Sequence, residues 1–212
     1  MNNLQKQIES LNEQLTSLLP REIQDAFQNT ITELLSNHSK KNVIPLAATF
    51  PDFNLLTSSG ETIHLSDIHT EEKLIIAFFR GSWCPYCNLE LQALESVYTT
   101  IRSKKAVLIA VSPQLTPFND QLTEQHQLSY PLLTDKNNAL AQQLGITFEL
   151  PDFVRPYYKQ LGINLEDFND DTRYILPIPA IFVIDQNNVI CYSHIDPNYM
   201  NRVEMETLIA QL

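Results

Sequence analysis

Leu4, Ile8, Leu11, Leu15 and Leu18 fall at alternating four- and three-residue steps, a narrow helical stripe that Pro20 brings to a stop. Ile23, Phe27, Ile31 and Leu34 resume the spacing and predict a second helix. The pair reads as a helical hairpin over residues 1–41. Its stripe covers too few heptads for a coiled coil, so packing against the rest of the chain is the simpler expectation and an assembly or partner surface the alternative.

From Pro51 the pattern shortens to a strand, a hairpin and then a continuous apolar run at residues 74–79, bounded by charge on one side and Arg80-Gly81-Ser82 on the other. Such a run predicts a buried strand that feeds a tight turn. Leu91, Leu94, Val97 and Ile101, with Tyr98 beside them, then recur at helical steps, which predicts a helix of about four turns starting near Cys84. Residues 106–111 form a second buried strand and complete a β-α-β unit. A helix follows over 115–128 with Pro117 near its start, then a shorter one over 137–144 closed by Gly145. Residues 147–176 carry Pro151, Pro156, Gly162 and the acidic stretch Glu166-Asp167-Phe168-Asn169-Asp170-Asp171, and they read as an irregular insertion with room for one helix. Residues 180–185 and 189–192 around Gln186-Asn187-Asn188 predict an antiparallel hairpin, and residues 202–212 a terminal helix. The expected architecture is therefore an α/β domain over residues 45–212 preceded by a helical extension.

The 212 residues suffice for one well-packed core with appendages, and the 43% hydrophobic content is that of a globular protein. A formal net charge of −11 argues against nucleic acid and anionic membranes as partners. The first nineteen residues mix Asn, Gln, Lys and Glu among the leucines, unlike a secretory signal, and no apolar run approaches the ~20 residues that span a bilayer. Three cysteines make no disulfide framework. The expected location is the cytoplasm.

The chemistry concentrates in Trp83-Cys84-Pro85-Tyr86-Cys87, between the buried strand and the helix. Cys84 at a helix N-terminus meets free backbone N–H groups and the positive end of the helix dipole, both of which favour a thiolate. Arg80 adds positive charge, and Pro85 suits the first helical turn, where its missing N–H has no intrahelical partner. Two cysteines three apart on that turn share a face and can close a small disulfide. Zinc would ordinarily require four Cys or His ligands, whereas Cys191 stands alone, so no metal or cofactor is expected; an inert core pair is the other plain alternative. Cys84, nearest the free N–H groups, is the expected attacking thiolate, with Cys87 a turn inside and more shielded. The acidic cluster reads as solvated surface. His38, His64, His69, His126 and His194 are scattered without a motif.

These segments, taken in order, resemble the AhpC/TSA peroxiredoxin-like branch of the thioredoxin superfamily over about residues 45–212. They are Phe50-Pro51-Asp52-Phe53, Gly60 with Ile63-His64-Leu65-Ser66-Asp67, residues 78–87, Val111-Ser112-Pro113, Tyr130-Pro131-Leu132-Leu133-Thr134-Asp135 and residues 179–185. The resemblance implies a thioredoxin-like fold, a central mixed sheet flanked by helices, here with the N-terminal helical hairpin. It also implies peroxide reduction through Cys84 and Cys87, supported by Arg80, Trp83, Pro85 and Pro179, with a thioredoxin- or glutaredoxin-like dithiol as reductant and a possible homo-oligomer. The family's pattern Pro-x-x-x-Thr/Ser-x-x-Cys, laid on Cys87, meets Arg80 and Cys84 where proline and threonine belong. The arginine that family carries before its last core strand falls on Pro179, which instead matches the cis proline facing the Cys-x-x-Cys pair of thioredoxins. Two enzyme readings follow, a thiol peroxidase and a disulfide oxidoreductase, with a non-catalytic thioredoxin-fold interaction module as a third.

Overall fold

The computed structural model describes residues 4–37, 43–69 and 71–212. His38 and the join between the helical extension and the main domain lie outside the described residues. The extension comprises α1 (Leu4–Leu18) and α2 (Arg21–Asn37). Gln24 reaches back from the first turn of α2 and donates to the carbonyls of Thr16 and Leu19 at 2.9 and 2.8 Å. This satisfies acceptors that the end of α1 leaves open and fixes the hairpin's bend at Pro20.

The chain continues through β1 (Asn54–Leu56), β2 (Thr62–His64), α3 (Leu65–Ile68), β3 (Lys73–Phe78), α4 (Pro85–Ser96), α5 (Tyr98–Ser103), β4 (Ala106–Ser112), α6 (Thr116–His126), β5 (Leu132–Thr134) and α7 (Ala139–Gln143). It closes with β6 (Thr147–Glu149), α8 (Arg155–Gln160), α9 (Leu165–Asn169), β7 (Ile175–Pro177), β8 (Ala180–Asp185), β9 (Ile190–Ile195) and α10 (Met205–Ile209). Seven strands form one mixed sheet in the order β2-β1-β5-β4-β3-β8-β9. β3 runs parallel to β4 and antiparallel to β8, so the centre of the sheet is the β-α-β unit expected from the sequence, with the last hairpin added on its other side.

Strand alternation divides the core into two layers. Ile75, Ala77 and Phe79 join Leu91, Leu94, Ile101, Ile181 and Val183 on one face, while Leu74, Ile76 and Phe78 join Phe50, Ile109, Leu144 and Phe182 on the other. Burial on both faces explains why β3 and β4 read as continuous apolar runs. The helical hairpin belongs to the first layer, since Leu4, Ile8 and Ile31 are buried there. Asn12 of α1 accepts a 2.6 Å hydrogen bond from the Tyr86 hydroxyl, and the Gln5 amide donates to Glu204 at 2.9 Å. The hairpin thus lies over the start of α4.

Four sequence expectations change. The long helix after Cys84 breaks at Val97 (φ −113°, ψ 5°), where Ser96, Val97, Thr99 and Thr100 lower helix propensity together and the Ser96 hydroxyl bonds the Ala93 carbonyl at 2.6 Å. The insertion is ordered by a ribbon, Phe148 pairing with Leu176, and holds two short helices instead of one. Three-residue strands separated by some twenty-five residues leave too short an alternation to read. Leu18, counted in the buried stripe of α1, is 76% exposed. The terminal helix starts only at Met205, because residues 196–201 form a turn held by Asp196 and Asn198 side-chain caps on the Asn198 and Met200 amides.

Ile8 is 1% exposed, and Ile8→Ala would leave a cavity beneath the hairpin. We expect a loss of about 2–5 kcal/mol in urea denaturation, against less than ~0.5 kcal/mol for Glu13→Ala on the exposed face of the same helix.

Candidate active site

β3 ends at Phe78, and the chain turns sharply through Arg80-Gly81-Ser82 into α4. Gly81 stands at φ +152°, and a Cβ there would lie 2.4 Å from the indole nitrogen of Trp83. Glycine therefore lets Trp83 fold back over the turn. The Ser82 amide donates to the Gln114 side chain at 2.8 Å, and Asn88 bonds the Ser82 carbonyl at 2.9 Å. Gln114 is itself held by Asn119 at 2.7 Å, and Asn119 by Thr134 at 3.0 Å, all three buried. This amide network joins the turn to the ends of β4 and β5 and fixes its position.

Cys84 is the N-cap of α4 and Pro85 its first helical residue, as the sequence predicts. The Cys84 sulfur accepts the Cys87 amide at 3.4 Å, the Cys87 thiol at 2.7 Å and the Arg80 guanidinium at 3.2 Å. Burial alone would push the Cys84 thiol up. The Cys87 thiol bond and the Arg80 and Arg202 guanidiniums overcome it and hold Cys84 well below the ordinary thiol range. Cys87 goes the other way, raised by burial and by the negative charge it donates to. The pair thus divides into one thiolate and one thiol. Shielding does not distinguish them, contrary to expectation, because both sulfurs have no exposed surface; what separates them is the number of donors each accepts.

Arg80 is 4% exposed, its guanidinium 3.2 Å from Cys84 and stacked 3.9 Å from the centre of the Tyr199 ring. Trp83 lies on its other side at 5.3 Å and meets Tyr158 edge-on at 5.5 Å. Arg202, equally buried, places Nη2 3.6 Å from the Cys87 sulfur, Nε on the Tyr199 carbonyl at 2.7 Å, and Nη1 on the carboxylate of Glu90. Burial pushes the Glu90 carboxyl up, and Arg202 draws it back toward the charged form. The charges balance as a set: Arg80 and Arg202 against Glu90 and the Cys84 thiolate.

Of the residues singled out in the sequence, Cys84, Cys87, Arg80, Trp83 and Pro85 come together in this turn. Pro179 sits buried immediately before Ala180, the register partner of Phe78, and so flanks the same end of β3. Its peptide bond is trans, because no cis bond occurs among the described residues, which departs from the thioredoxin proline it was matched to. Two arginines do reach the cysteine pair, Arg80 and Arg202. Cys191 is exposed on β9, and its thiol donates to the Val189 carbonyl. Arg202, Glu90, Tyr199, Tyr158 and Gln114 were missed. Glu90 had one signal, a carboxylate midway between Cys87 and Leu94 on the buried face of α4.

Two outcomes follow from this geometry. Thiolate ultraviolet absorbance should persist on acidification to pH well below the usual thiol range and vanish only as the pH falls through the lowered Cys84 value; Cys84→Ser removes that signal, and Arg80→Met moves its inflection upward. A titration unchanged in Arg80→Met would contradict the assigned stabilisation. Gly81→Ala, which drives a methyl group into Trp83, should cost about 1–3 kcal/mol in denaturation and shift the tryptophan emission.

Comparison with known proteins gives the family. Residues 46–193 match the AhpC/TSA family. The chain is 26% identical over 125 residues to Peroxiredoxin Bcp of Bacillus subtilis, covering 59% of this chain and 77% of that one. It is 27% identical over 177 residues to Thioredoxin-like protein YneN of the same organism, covering 82% and 84%. Among solved structures, the Peroxidoxin BcpB of Mycobacterium tuberculosis superposes with a TM-score of 0.64 at 18% identity, over 79% of this chain and 96% of that one, which fixes the fold as thioredoxin-like. With a family match across most of its length and the cysteine turn at the end of the central strand, this chain belongs to the AhpC/TSA family.

Proposed function

We propose that this protein is a thiol peroxidase that reduces hydrogen peroxide or organic hydroperoxides through Cys84 and Cys87, working in the cytoplasm. The observation that carries the reading is the division of the pair: a buried Cys84 thiolate that accepts three donors, touching a Cys87 that keeps its proton. The Cys84 lone pair attacks the terminal peroxide oxygen, forming an S–O bond as the O–O bond breaks. The departing hydroxide or alkoxide takes the proton of the transferred oxygen and leaves as water or alcohol, so Cys84 becomes a sulfenate. Arg80, within hydrogen-bond reach of that sulfur, stabilises the charge that moves onto oxygen. Cys87 then attacks Cys84, the S–S bond forms, and the oxygen departs with the Cys87 proton as hydroxide. A thioredoxin- or glutaredoxin-like dithiol reduces the disulfide. Residues 45–212 are the redox unit on this reading, and the helical extension over 1–41 is its cover.

Likeness to YneN over most of the chain favours a second reading, a disulfide oxidoreductase without peroxidase activity. Complete burial of both sulfurs favours the first, because a small peroxide needs less rearrangement than a protein disulfide. The two readings separate in a pair of assays. NADPH consumption with thioredoxin, thioredoxin reductase and peroxide should proceed, while insulin reduction should be slow; insulin reduction without peroxide turnover would reverse the assignment. After one equivalent of peroxide, mass mapping should find Cys84 joined to Cys87 and Cys191 free. Arg80→Met should slow sulfenate formation by roughly 100-fold, the size expected for losing one buried charge-stabilising donor.

A further inference from the structure

The α1–α2 hairpin does more than pack. Between it and the active-site turn lies a cavity of about 530 Å³, within the range of small-molecule sites. Its walls are mainly aromatic and aliphatic: Phe27 and Ile31 from the hairpin, Trp83 and Tyr86 from the turn, Tyr158 from the insertion and Tyr199 from the C-terminal segment. Pro85, which follows Cys84, and Arg80, whose guanidinium is 3.2 Å from the Cys84 sulfur, line it as well. Hydrogen peroxide, little larger than a water molecule of about 30 Å³, would leave most of this space unfilled.

Only two charged side chains border the cavity. Arg80 is already matched to the Cys84 thiolate and stacked on Tyr199, and Asp25 lies on the exposed side of α2 within 3.9 Å of Arg21. Arg80 keeps one donor, Nε, without a hydrogen-bond partner among the described residues, but its charge is matched by the thiolate, and the chain's net charge of −11 disfavours an anionic ligand further. The hairpin residues 4–37 and Tyr199 all lie outside residues 46–193, the segment matched to the family. The cavity thus joins walls from the matched segment to walls outside it.

We propose that this cavity binds the body of an uncharged, apolar hydroperoxide, aromatic or branched, and that the N-terminal hairpin is its specificity wall. The inference rests on the peroxidase reading and deepens it. The O–O group would enter over the Arg80–Tyr199 stack toward Cys84, with the organic body held between Phe27, Trp83 and Tyr158. The reaction is the one written above: S–O forms, O–O breaks, and the organic fragment leaves as its neutral alcohol, which fits the same apolar walls.

Trp83 is the single tryptophan of the chain and lines the cavity, so its emission reports occupancy directly. The full-length reduced protein is titrated with 2-phenyl-2-propanol, the unreactive alcohol of cumene hydroperoxide, and in parallel with decanoate. A saturable change with the alcohol and none with the carboxylate is expected. Thr16→Phe and Gln28→Phe place a ring into the cavity from exposed hairpin positions and should weaken alcohol binding about tenfold, with a similar fall in the ratio of kcat/KM for cumene hydroperoxide over hydrogen peroxide. Hydrogen peroxide turnover with no alcohol response, or with that ratio unmoved by both substitutions, overturns the pocket while leaving the peroxidase reading intact. Alcohol binding with neither peroxide consumed refutes the peroxidase reading and with it the hydroperoxide assignment. A response to a short peptide disulfide in place of the alcohol also overturns the inference.

Discussion

Two guanidiniums buried at the end of the central sheet, facing one carboxylate, are the constraint around which this site is organised. Arg80 and Arg202 are almost fully removed from solvent, and Glu90 neutralises only Arg202. An unpaired ion in such surroundings costs several kcal/mol, far more than an exposed ion pair returns. The remaining positive charge is met by Cys84 as a thiolate. Deprotonation of the cysteine is therefore part of the packing of the folded state: a neutral thiol would leave a buried cation without an anion.

The surrounding architecture keeps those charges strong by burying them. Tyr199 and Trp83 cover Arg80, Tyr158 leans on Trp83, and Phe27 of α2 packs edge-on against Tyr158 at 5.6 Å. Each layer comes from a different part of the chain. The turn supplies the sulfurs, the insertion supplies Tyr158, the C-terminal segment supplies Tyr199 and Arg202, and the hairpin seals the stack. In a site this dry, each guanidinium contact acts through a lower local dielectric than at the surface, so a few hydrogen bonds suffice to outweigh the burial of a thiolate.

How much of this was legible in the sequence follows from the range over which each signal acts. Strands β3, β4 and β8 were readable as short continuous apolar runs, and helices α1 and α2 by apolar positions that repeat at a helical period. Cys84, Cys87, Arg80 and Pro85 were readable because a turn and a helix start are local events, complete within about eight residues. Arg202 was not: it stands 115 positions from Cys87, and its contact depends on how the turn at residues 196–201 folds back over α4. Tyr158 was hidden similarly, since the β6–β7 ribbon that positions it is only three residues long on each side. At Pro179 the local match to a thioredoxin proline left the peptide isomer open, and the bond is trans. Motif overlay sought an arginine at one sequence position, whereas the two guanidiniums beside the cysteine pair come from positions 80 and 202.

On the proposed peroxidase reading, the same charge balance ties the redox cycle to the cover. While Cys84 is a thiolate, the charge of Arg80 is matched and the Arg80–Tyr199–Trp83 stack can close over it without an orphaned ion. Joining Cys84 to Cys87 removes that anion and the thiol proton together, and two buried guanidiniums then face Glu90 alone. The closed arrangement loses its electrostatic justification at the step when an external dithiol must reach the sulfurs. On that reading a site covered by aromatic layers is compatible with turnover by a large reductant: the charge that holds the layers in place is the one a peroxide would consume, and reduction would restore it.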